Sequence, residues 1–122
     1  MDTAWAHASE IAAAVGDGRT SAAAVVDAAL ARIAKNDRVL NAFTAVVGKR
    51  ARAKAEAIDA AHAEGRPLGA FAGVPFAVKN LFDVAGLPTL AGSKINRERA
   101  PARRDATLIE RLEAQGAVLI GA

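Results

Sequence analysis

A run of apolar residues that ends abruptly in a lysine is the feature that most constrains this chain. Residues Val74 to Val78 are apolar without interruption, and Lys79 and Asn80 follow them directly. An unbroken apolar run of this length is typical of a strand that is covered on both faces, and Pro75 must then lie near its start or at a bulge. The sequence therefore predicts a covered strand with a lysine at its end.

Lys79 has two interpretations. An ammonium at the end of a buried strand is costly unless it is paired, and burial favours the neutral amine, which can act as a general base. The alternative is a structural lysine whose stem packs against the strand while its charged head reaches water. The octapeptide Gly73 to Asn80 alone favours the structural alternative, and the rest of the chain reverses that preference.

Helical periodicity dominates the first half of the chain. It predicts a short helix over Ser9 to Val15, a longer helix that Thr20 or Ser21 caps and that runs to about Lys35, and an alanine-rich helix over Lys49 to Glu64. Between the last two, Ala42 to Val47 has the β-branched residues of a short strand. We expect residues 1–36 to be helical and residues 37–122 to be α/β.

The second half of the chain reads as strand, loop, helix and strand. Glycines and prolines interrupt the segment Asn80 to Arg104, which predicts a loop of about 25 residues, and loops of that length are usually functional or disordered. Asp105 is predicted to cap a helix over Ala106 to Gln115, with Leu108 among its inward residues, before a strand over Ala117 to Ile120. This order favours an α/β fold in which helices cover a sheet.

Composition excludes several classes of function. The chain has 122 residues, enough for one domain with a modest core. It has no cysteine, which removes disulfides, thiolate metal sites and thiol nucleophiles. Its two histidines, His7 and His62, lie far apart, and no glycine motif of the nucleotide-binding type is present. We therefore expect neither a metal nor another cofactor.

Charge and hydropathy exclude further partners. The net charge is +3, and acidic residues are interspersed among the basic ones, so no nucleic-acid partner is expected. No apolar run approaches the roughly 18 residues of a membrane helix, and the amino terminus does not read as a signal peptide. We expect no membrane association, and a cytoplasmic setting fits the absence of cysteine.

Four short motifs after Lys79 resemble, in their order and spacing, those of the amidase signature family. They are Gly86-Leu87-Pro88-Thr89, Ala91-Gly92-Ser93, Asp105-Ala106-Thr107 and Gly116 to Gly121. None is diagnostic alone, but their colinearity is, and the resemblance runs from about Ala8 to the last residue. It implies the amidase-signature fold, a mixed sheet covered by helices.

The same resemblance implies a catalytic mechanism. Family members use a serine nucleophile, a second serine in a cis peptide and a lysine base, and Lys79 aligns with that lysine. The two serines belong to a Gly/Ser-rich segment that this chain does not contain: Ser9 and Ser21 read as helix caps, and Ser93 lies in a loop. The resemblance predicts that residues 1–122 are the amino-terminal part of an amidase domain, truncated before that segment and inactive alone.

Within the family, the residues around Lys79 are most similar to the branch that hydrolyses biuret-type ureides, the 1-carboxybiuret hydrolases. The implied substrate is a small amide or ureide, handled by a homo-oligomer with a small partner subunit. The first alternative is the catalytic subunit of the aspartyl/glutamyl-tRNA amidotransferase, which usually has Asp at the position of Asn80 and would bring a nucleic-acid partner. The second is a non-catalytic interaction fragment.

The loop after Lys79 contains further candidate residues, each with a simpler alternative. Asp83 could contact Lys79 or could bond locally within a turn. Gly92 and Ser93 could shape a substrate cleft or could form an ordinary turn. A basic run could meet a substrate carboxylate or an acidic partner, or could be a solvated face. This run consists of Lys94, Arg97, Arg99, Arg103 and Arg104.

Overall fold

The computed structural model describes residues 1–122 and confirms the α/β class. Four α-helices, two strands and one short 3₁₀ helix, Lys94–Asn96, follow one another along the chain. The α-helices and strands are, in order, α1 (Ala8–Gly16), α2 (Ala22–Leu40), α3 (Gly48–Ala63), β1 (Pro75–Ala77), α4 (Thr107–Ala114) and β2 (Val118–Gly121). No helix is both long enough and apolar enough to cross a membrane.

The starts of the first two helices are fixed by different capping residues. Ser21 caps α2 as predicted, because its hydroxyl accepts a hydrogen bond from the Ala24 N–H at 3.0 Å. Ser9 is not a cap, which corrects the prediction. The α1 helix begins after His7, whose N–H donates to the Glu10 carboxylate at 2.7 Å, so an acidic residue in the first turn satisfies the helix start.

Helix α2 extends past Lys35, where the sequence placed its end. No glycine or proline interrupts residues 36–40, and the helix stops only at Asn41, which adopts the left-handed conformation with φ 50°. Asp37 in the last turn accepts hydrogen bonds from the N–H groups of Ala42, at 2.7 Å, and Phe43. This turn directs the chain back toward the sheet.

Helices α2 and α3 pack against each other through small side chains. Ala51, Ala55 and Ile58 of α3 are buried in the larger of two core clusters, together with Val26 and Leu30 of α2. Alanines permit a close approach of the two helices, as the periodicity predicted. Helix α3 also holds the start of α2, because the Asp59 carboxylate accepts hydrogen bonds from two free N–H groups of the first turn at 2.7 and 3.0 Å.

The sheet is mixed and small. Strands β1 and β2 are parallel, and a bulge between Phe76 and Ala77 shifts their register. On the other side of β2, the segment 44–47 runs antiparallel, and its backbone bonds include Val47 N–H to Ile120 C=O at 3.0 Å and Ala122 N–H to Ala45 C=O at 2.9 Å. The predicted strand over Ala42 to Val47 is thus one antiparallel bridge with flanking bonds.

The two strands differ in burial. All four residues of β2 are buried, as its apolar sequence predicts. Strand β1 is shorter than predicted and is not covered on both faces, because Pro75 and Phe76 are only partly buried and Ala77 is exposed. The difference follows from position, since β2 is paired on both sides whereas β1 is an edge strand.

Helix α4 closes a second core cluster behind β2. Its inward residue is Ile109, which is fully buried in that cluster with Leu119 and Val84, whereas Leu108 is exposed, contrary to the prediction. Asp105 does not cap the helix, which begins after Ala106 without a side-chain cap. The carboxylate of Asp105 is instead engaged by Arg50 and by the Ala85 N–H.

Candidate functional site

The backbone of Lys79 is fixed at the point where the chain leaves the sheet. Val78, immediately before it, donates its N–H to the Gly121 carbonyl at 3.1 Å and is buried in the second core cluster. The carbonyl of Lys79 accepts the Phe82 N–H at 3.1 Å, which closes a turn. Lys79 is therefore held by β2 on one side and by a turn on the other.

The side chain of Lys79 is exposed, which corrects the expectation that it would be buried at the end of a covered strand. Successive side chains of extended backbone point to opposite sides, so the burial of Val78 directs Lys79 away from the core. None of the five ion pairs of the structure involves Lys79. Lys79 lines an open cavity without an ion-pair partner.

This cavity, which we call the lysine cavity, has a volume of about 460 Å³ and small or apolar walls. Besides Lys79 it is lined by Ala42, Thr44, Val78, Asn80, Leu81, Ala91, Gly92 and Ala122. No acidic side chain is among them. The lysine is thus the one charged side chain in a space that has room for a small organic molecule.

Asn80 connects the segments around the lysine cavity. Its Nδ2 donates to the Thr44 hydroxyl at 2.6 Å, and its Oδ1 accepts the Leu90 N–H at 3.0 Å. Its backbone carbonyl accepts the Ala91 N–H at 2.8 Å. The sequence marked Asn80 only as a departure from the aspartate usual in the amidotransferase subunit, because Thr44 lies 36 positions away and nothing in the spacing links them.

Thr44 continues this network to the end of β2. Its backbone N–H, at 2.7 Å, and its hydroxyl, at 2.9 Å, both donate to the carbonyl of Ala122. The approach is close because residue 121 is glycine: a Cβ there would lie 2.6 Å from the Phe43 ring and 2.7 Å from the Ala45 carbonyl oxygen. The back of the lysine cavity is therefore a continuous set of hydrogen bonds.

The other loop candidates separate into two groups. Asp83 forms no ion pair with Lys79, and its carboxylate instead accepts a hydrogen bond from the Thr89 hydroxyl at 2.5 Å. Gly92 lines the lysine cavity and also a smaller neighbouring cavity, and Ser93 lines the smaller one while forming a turn with Leu90. The interpretation as a turn and the interpretation as a cavity wall both hold for these two residues.

The five residues of the basic run line different cavities or none. Lys94 and Arg97 line the smaller cavity beside Lys79. Arg99 lines a different cavity, next to Asp83 and Thr89, and Arg103 and Arg104 line neither of the two cavities near Lys79. No member of the run forms an ion pair. All five residues are exposed, but only Lys94 and Arg97 line a cavity at the candidate site.

A cluster that the sequence did not reveal joins Arg50, Asp105 and Glu113. Two hydrogen bonds, at 2.8 and 2.6 Å, join the guanidinium to Asp105, and a third, at 2.7 Å, joins it to Glu113. The hydrogen bond to Asp105 raises the pKa of Arg50, and the same bond lowers the pKa of Asp105 below its usual range. The cluster ties α3 to α4, and the Ala85 N–H donates to it at 2.8 Å.

No metal site is formed by the protein side chains. There is no group of three or more His, Cys, Asp or Glu residues arranged to hold an ion. His7 precedes α1, and His62 lies on α3. The largest volumes elsewhere on the surface, about 630 Å³ beside Trp5 and about 650 Å³ beside Arg50, contain none of the residues predicted to be catalytic.

Comparison with known proteins identifies the family of this chain. The family model described as Amidase matches residues 24–122. The chain is 55% identical over 112 residues to AtzE, the 1-carboxybiuret hydrolase subunit of Pseudomonas sp. strain ADP, in a match that covers 92% of this chain and 24% of that protein. It is 48% identical over 112 residues to a glutamyl-tRNA(Gln) amidotransferase subunit of Anaeromyxobacter dehalogenans, covering 92% and 23%.

Solved structures share the fold. An s-triazine catabolic enzyme from a vestigial protein complex superposes with a TM-score of 0.91 at 55% identity, over 93% of this chain and 25% of that one. The peptide amidase of Stenotrophomonas maltophilia superposes with a TM-score of 0.87 at 29% identity, over 98% and 25%. The amidase-signature fold predicted from the motifs is confirmed. The chain spans about a quarter of the length of the relatives that it matches.

Proposed function

This chain belongs to the amidase signature family, and we propose that it carries the lysine base of a hydrolase that cleaves amide or ureide C–N bonds. The observation that supports the proposal is the position of Lys79. Its backbone is fixed by β2 and a turn, and Lys79 lines a cavity to which no aspartate or glutamate contributes. A base has to be positioned in this way before it can accept a proton from a reacting group.

In the proposed mechanism, the neutral amine of Lys79 takes a proton from a cis-serine, which takes the proton of the nucleophilic serine. The nucleophile attacks the carbonyl carbon, the C–N bond breaks, and the nitrogen leaves with a proton. Water then hydrolyses the acyl-serine. Neither serine corresponds to a serine of this chain, so the proposal assigns both to the part of the relatives' length that the chain does not cover.

Assigning the serines to residues outside this chain also reconciles the exposure of Lys79 with its role as a base. A solvated amine is protonated at neutral pH, whereas a desolvated amine favours the neutral form that a base requires. We propose that the amino-terminal part of an amidase domain, represented by these 122 residues, is covered at the lysine cavity by the remainder of the enzyme. That remainder would exclude water from Lys79.

The proposed substrate is a small ureide such as 1-carboxybiuret. Higher identity to the 1-carboxybiuret hydrolase subunit, 55% against 48% for the amidotransferase subunit, supports this choice. So does the neutral Asn80 beside the lysine. The proposal includes a homo-oligomeric, cytoplasmic enzyme. It also includes a small partner subunit, since the relative is itself named as a subunit.

A second candidate function is that of the amidotransferase subunit, which the 48% identity over 112 residues supports. The two candidates differ in the acyl acceptor, which is water in the hydrolase. Release of ammonia from a ureide without any tRNA would favour the hydrolase. Activity that depends on a charged tRNA would favour the amidotransferase.

The test is substitution of Lys79 in the complete enzyme. Lys79→Ala should leave the protein folded and reduce kcat by about 10²- to 10⁴-fold, the range of a general base. Lys79→Arg should fail as well, because a guanidinium stays charged and cannot accept the proton. Lys35→Ala, which removes an exposed lysine of α2, is the matched control and should keep full activity.

Three outcomes would contradict the proposal. An active Arg variant would exclude a proton-accepting role for Lys79. Turnover by the 122-residue chain alone would exclude the assignment of the nucleophile to residues outside it. A complete protein that cleaves no amide or ureide, with or without tRNA, would favour the non-catalytic interaction fragment.

A further inference from the structure

The lysine cavity has a smaller neighbour that nothing in the proposed mechanism uses. This second space, which we call the basic cavity, has a volume of about 280 Å³. Thr44, Asn80 and Gly92 line both cavities, so the two share a wall. The remaining residues around the basic cavity are Leu90, Ser93, Lys94 and Arg97. A molecule of a few heavy atoms could reach from one cavity into the other.

Basic side chains without acidic neighbours line this pair of cavities. Lys94 and Arg97 contribute two positive charges to the walls next to Lys79, and no aspartate or glutamate lines either cavity. Four other arginines of the chain are paired with carboxylates: Arg19, Arg50, Arg52 and Arg66. The cations beside the candidate site lack such partners, and a cleft lined by one sign of charge attracts ligands of the opposite sign.

The basic cavity is built on a constrained turn. The Leu90 carbonyl accepts two hydrogen bonds, from Asn96 Nδ2 at 2.8 Å and from the Ser93 N–H at 3.0 Å. The Arg97 N–H donates to the Lys94 carbonyl at 3.2 Å, which places these two cations at the two ends of a single 3₁₀ turn. The turn is itself joined to Asn80 through the Leu90 N–H.

We propose that the basic cavity binds the carboxylate of an anionic substrate, with Arg97 and Lys94 as its binding residues. This inference rests on the proposed function, since it places the reactive carbonyl in the lysine cavity and the charged end of the same molecule in the adjacent basic cavity. A guanidinium presents two parallel N–H donors to a carboxylate, and the Ser93 hydroxyl, which has no partner within the protein, adds a further donor. The substrate class is a small carboxylated amide or ureide.

The kinetic test compares a carboxylated substrate with its uncharged parent, 1-carboxybiuret with biuret, in the complete enzyme. Arg97→Ala and Lys94→Ala should each lower kcat/KM for the carboxylated substrate by about tenfold or more, through KM, as loss of a charge-assisted hydrogen bond does. The effect on biuret should stay within about threefold. Arg97→Lys should recover part of the loss because it restores charge without the two-pronged geometry.

Arg103→Ala and Arg104→Ala are the matched controls. They remove the same charge from the same basic run but line neither cavity. They should change both substrates by less than about twofold. Equal losses in these controls would mean that general electrostatic attraction is responsible and would overturn the inference. Equal losses for the carboxylated and the uncharged substrate would also overturn it.

Binding without turnover separates this inference from the proposed function. Calorimetry of the complete enzyme with malonate as the probe, and uncharged 1,3-propanediol as its comparison, should detect malonate binding that Arg97→Ala weakens about tenfold and that Arg103→Ala leaves intact. An enzyme that cleaves no amide but binds malonate in this way would refute the function and keep the subsite. An active hydrolase whose malonate binding ignores Arg97, or is absent, would keep the function and refute the subsite.

Discussion

Asn80 donates a hydrogen bond to the Thr44 hydroxyl across 2.6 Å, although 36 positions separate the two residues. The amide oxygen of Asn80 accepts a hydrogen bond from the Leu90 N–H, and the Thr44 hydroxyl donates one to the Ala122 carbonyl. One side chain therefore connects the end of β1, the segment antiparallel to β2 and the loop that carries the basic cavity. Lys79, its immediate neighbour, is positioned by this connection.

The first prediction concerns the chemistry of that side chain. Asn80→Asp keeps an acceptor for Leu90 but loses the donor to Thr44, because a carboxylate only accepts. The free energy of unfolding should fall by about 1 kcal/mol, the typical worth of one such bond. Urea denaturation of Asn80→Asp, Thr44→Val and the double variant measures the coupling. If the two single costs simply add, the hydrogen bond contributes no coupling and the prediction is wrong.

The local elements of this fold were predictable, and the reasons are visible in particular residues. Ala51, Ala55 and Ile58 recur at helical spacing and are buried on α3, and the apolar run of β2 is buried throughout. Such patterns depend on neighbours in the sequence, which the sequence itself supplies. The motifs after Lys79 identified the family for the same reason, since order along the chain was sufficient.

What could not be predicted depends on contacts between distant residues. Asp105 reads as a helix cap, but Arg50, 55 positions earlier, offers its carboxylate a charged partner, and that stronger interaction prevails. The exposure of Lys79 follows from Val78 occupying the buried side of the extended backbone, which an uninterrupted apolar run does not reveal. The sequence allowed the whole basic run to meet a carboxylate, and only the fold separates Lys94 and Arg97, which line a cavity next to that of Lys79, from the rest of the run.

The second prediction concerns the stability of the Arg50 cluster at pH 7. Asp105→Asn should lower the free energy of unfolding by about 1–3 kcal/mol, because it removes the charge from a largely buried carboxylate that accepts two bonds from Arg50. Asp27→Asn is the matched control. Asp27 pairs with Arg52 at 2.8 Å, but both side chains are more than half exposed, so its loss should cost less than about 1 kcal/mol.

The same cluster gives a third prediction, on pH dependence. The pKa of Asp105 lies below its ordinary 3.8 in the folded protein, so its contribution is present above that value and is lost as pH falls through the folded pKa. The difference in stability between the native chain and Asp105→Asn should therefore shrink between about pH 5 and pH 2. Chemical denaturation across this range tests the sign, and a difference that grew toward low pH would contradict it.

A fourth prediction uses two glycines with opposite surroundings. A Cβ at Gly69 would overlap the backbone carbonyl of Gln115, which also accepts the Phe71 N–H at 2.9 Å and cannot move away freely. Gly69→Ala should destabilise the fold by about 2 kcal/mol or more. Gly16 ends α1 with open space around its Cβ position, so Gly16→Ala should be neutral or should stabilise by up to about 1 kcal/mol. Thermal melting of both variants compares them, and equal melting temperatures would refute the argument.

The final prediction concerns association of the 122-residue chain. Val39 and Leu40 are adjacent at the end of α2 and are 88% and 69% exposed, and the edge of β1 away from β2 has no strand beside it. Exposed apolar side chains and open strand edges both favour contact between molecules. Sedimentation of the purified chain should therefore show an average mass that rises with concentration.

Val39→Ser together with Leu40→Ser should shift that association to higher concentration, because the double variant removes the large apolar area at the end of α2. Ala31→Ser with Ala34→Ser is the matched control, since it alters two exposed positions of the same helix while removing little apolar area, and it should associate like the native chain. Circular dichroism of each variant verifies that α2 remains helical. A native chain that stays monomeric at all concentrations, or a control pair that dissociates as readily as the Val39 and Leu40 pair, would show that this surface does not drive association.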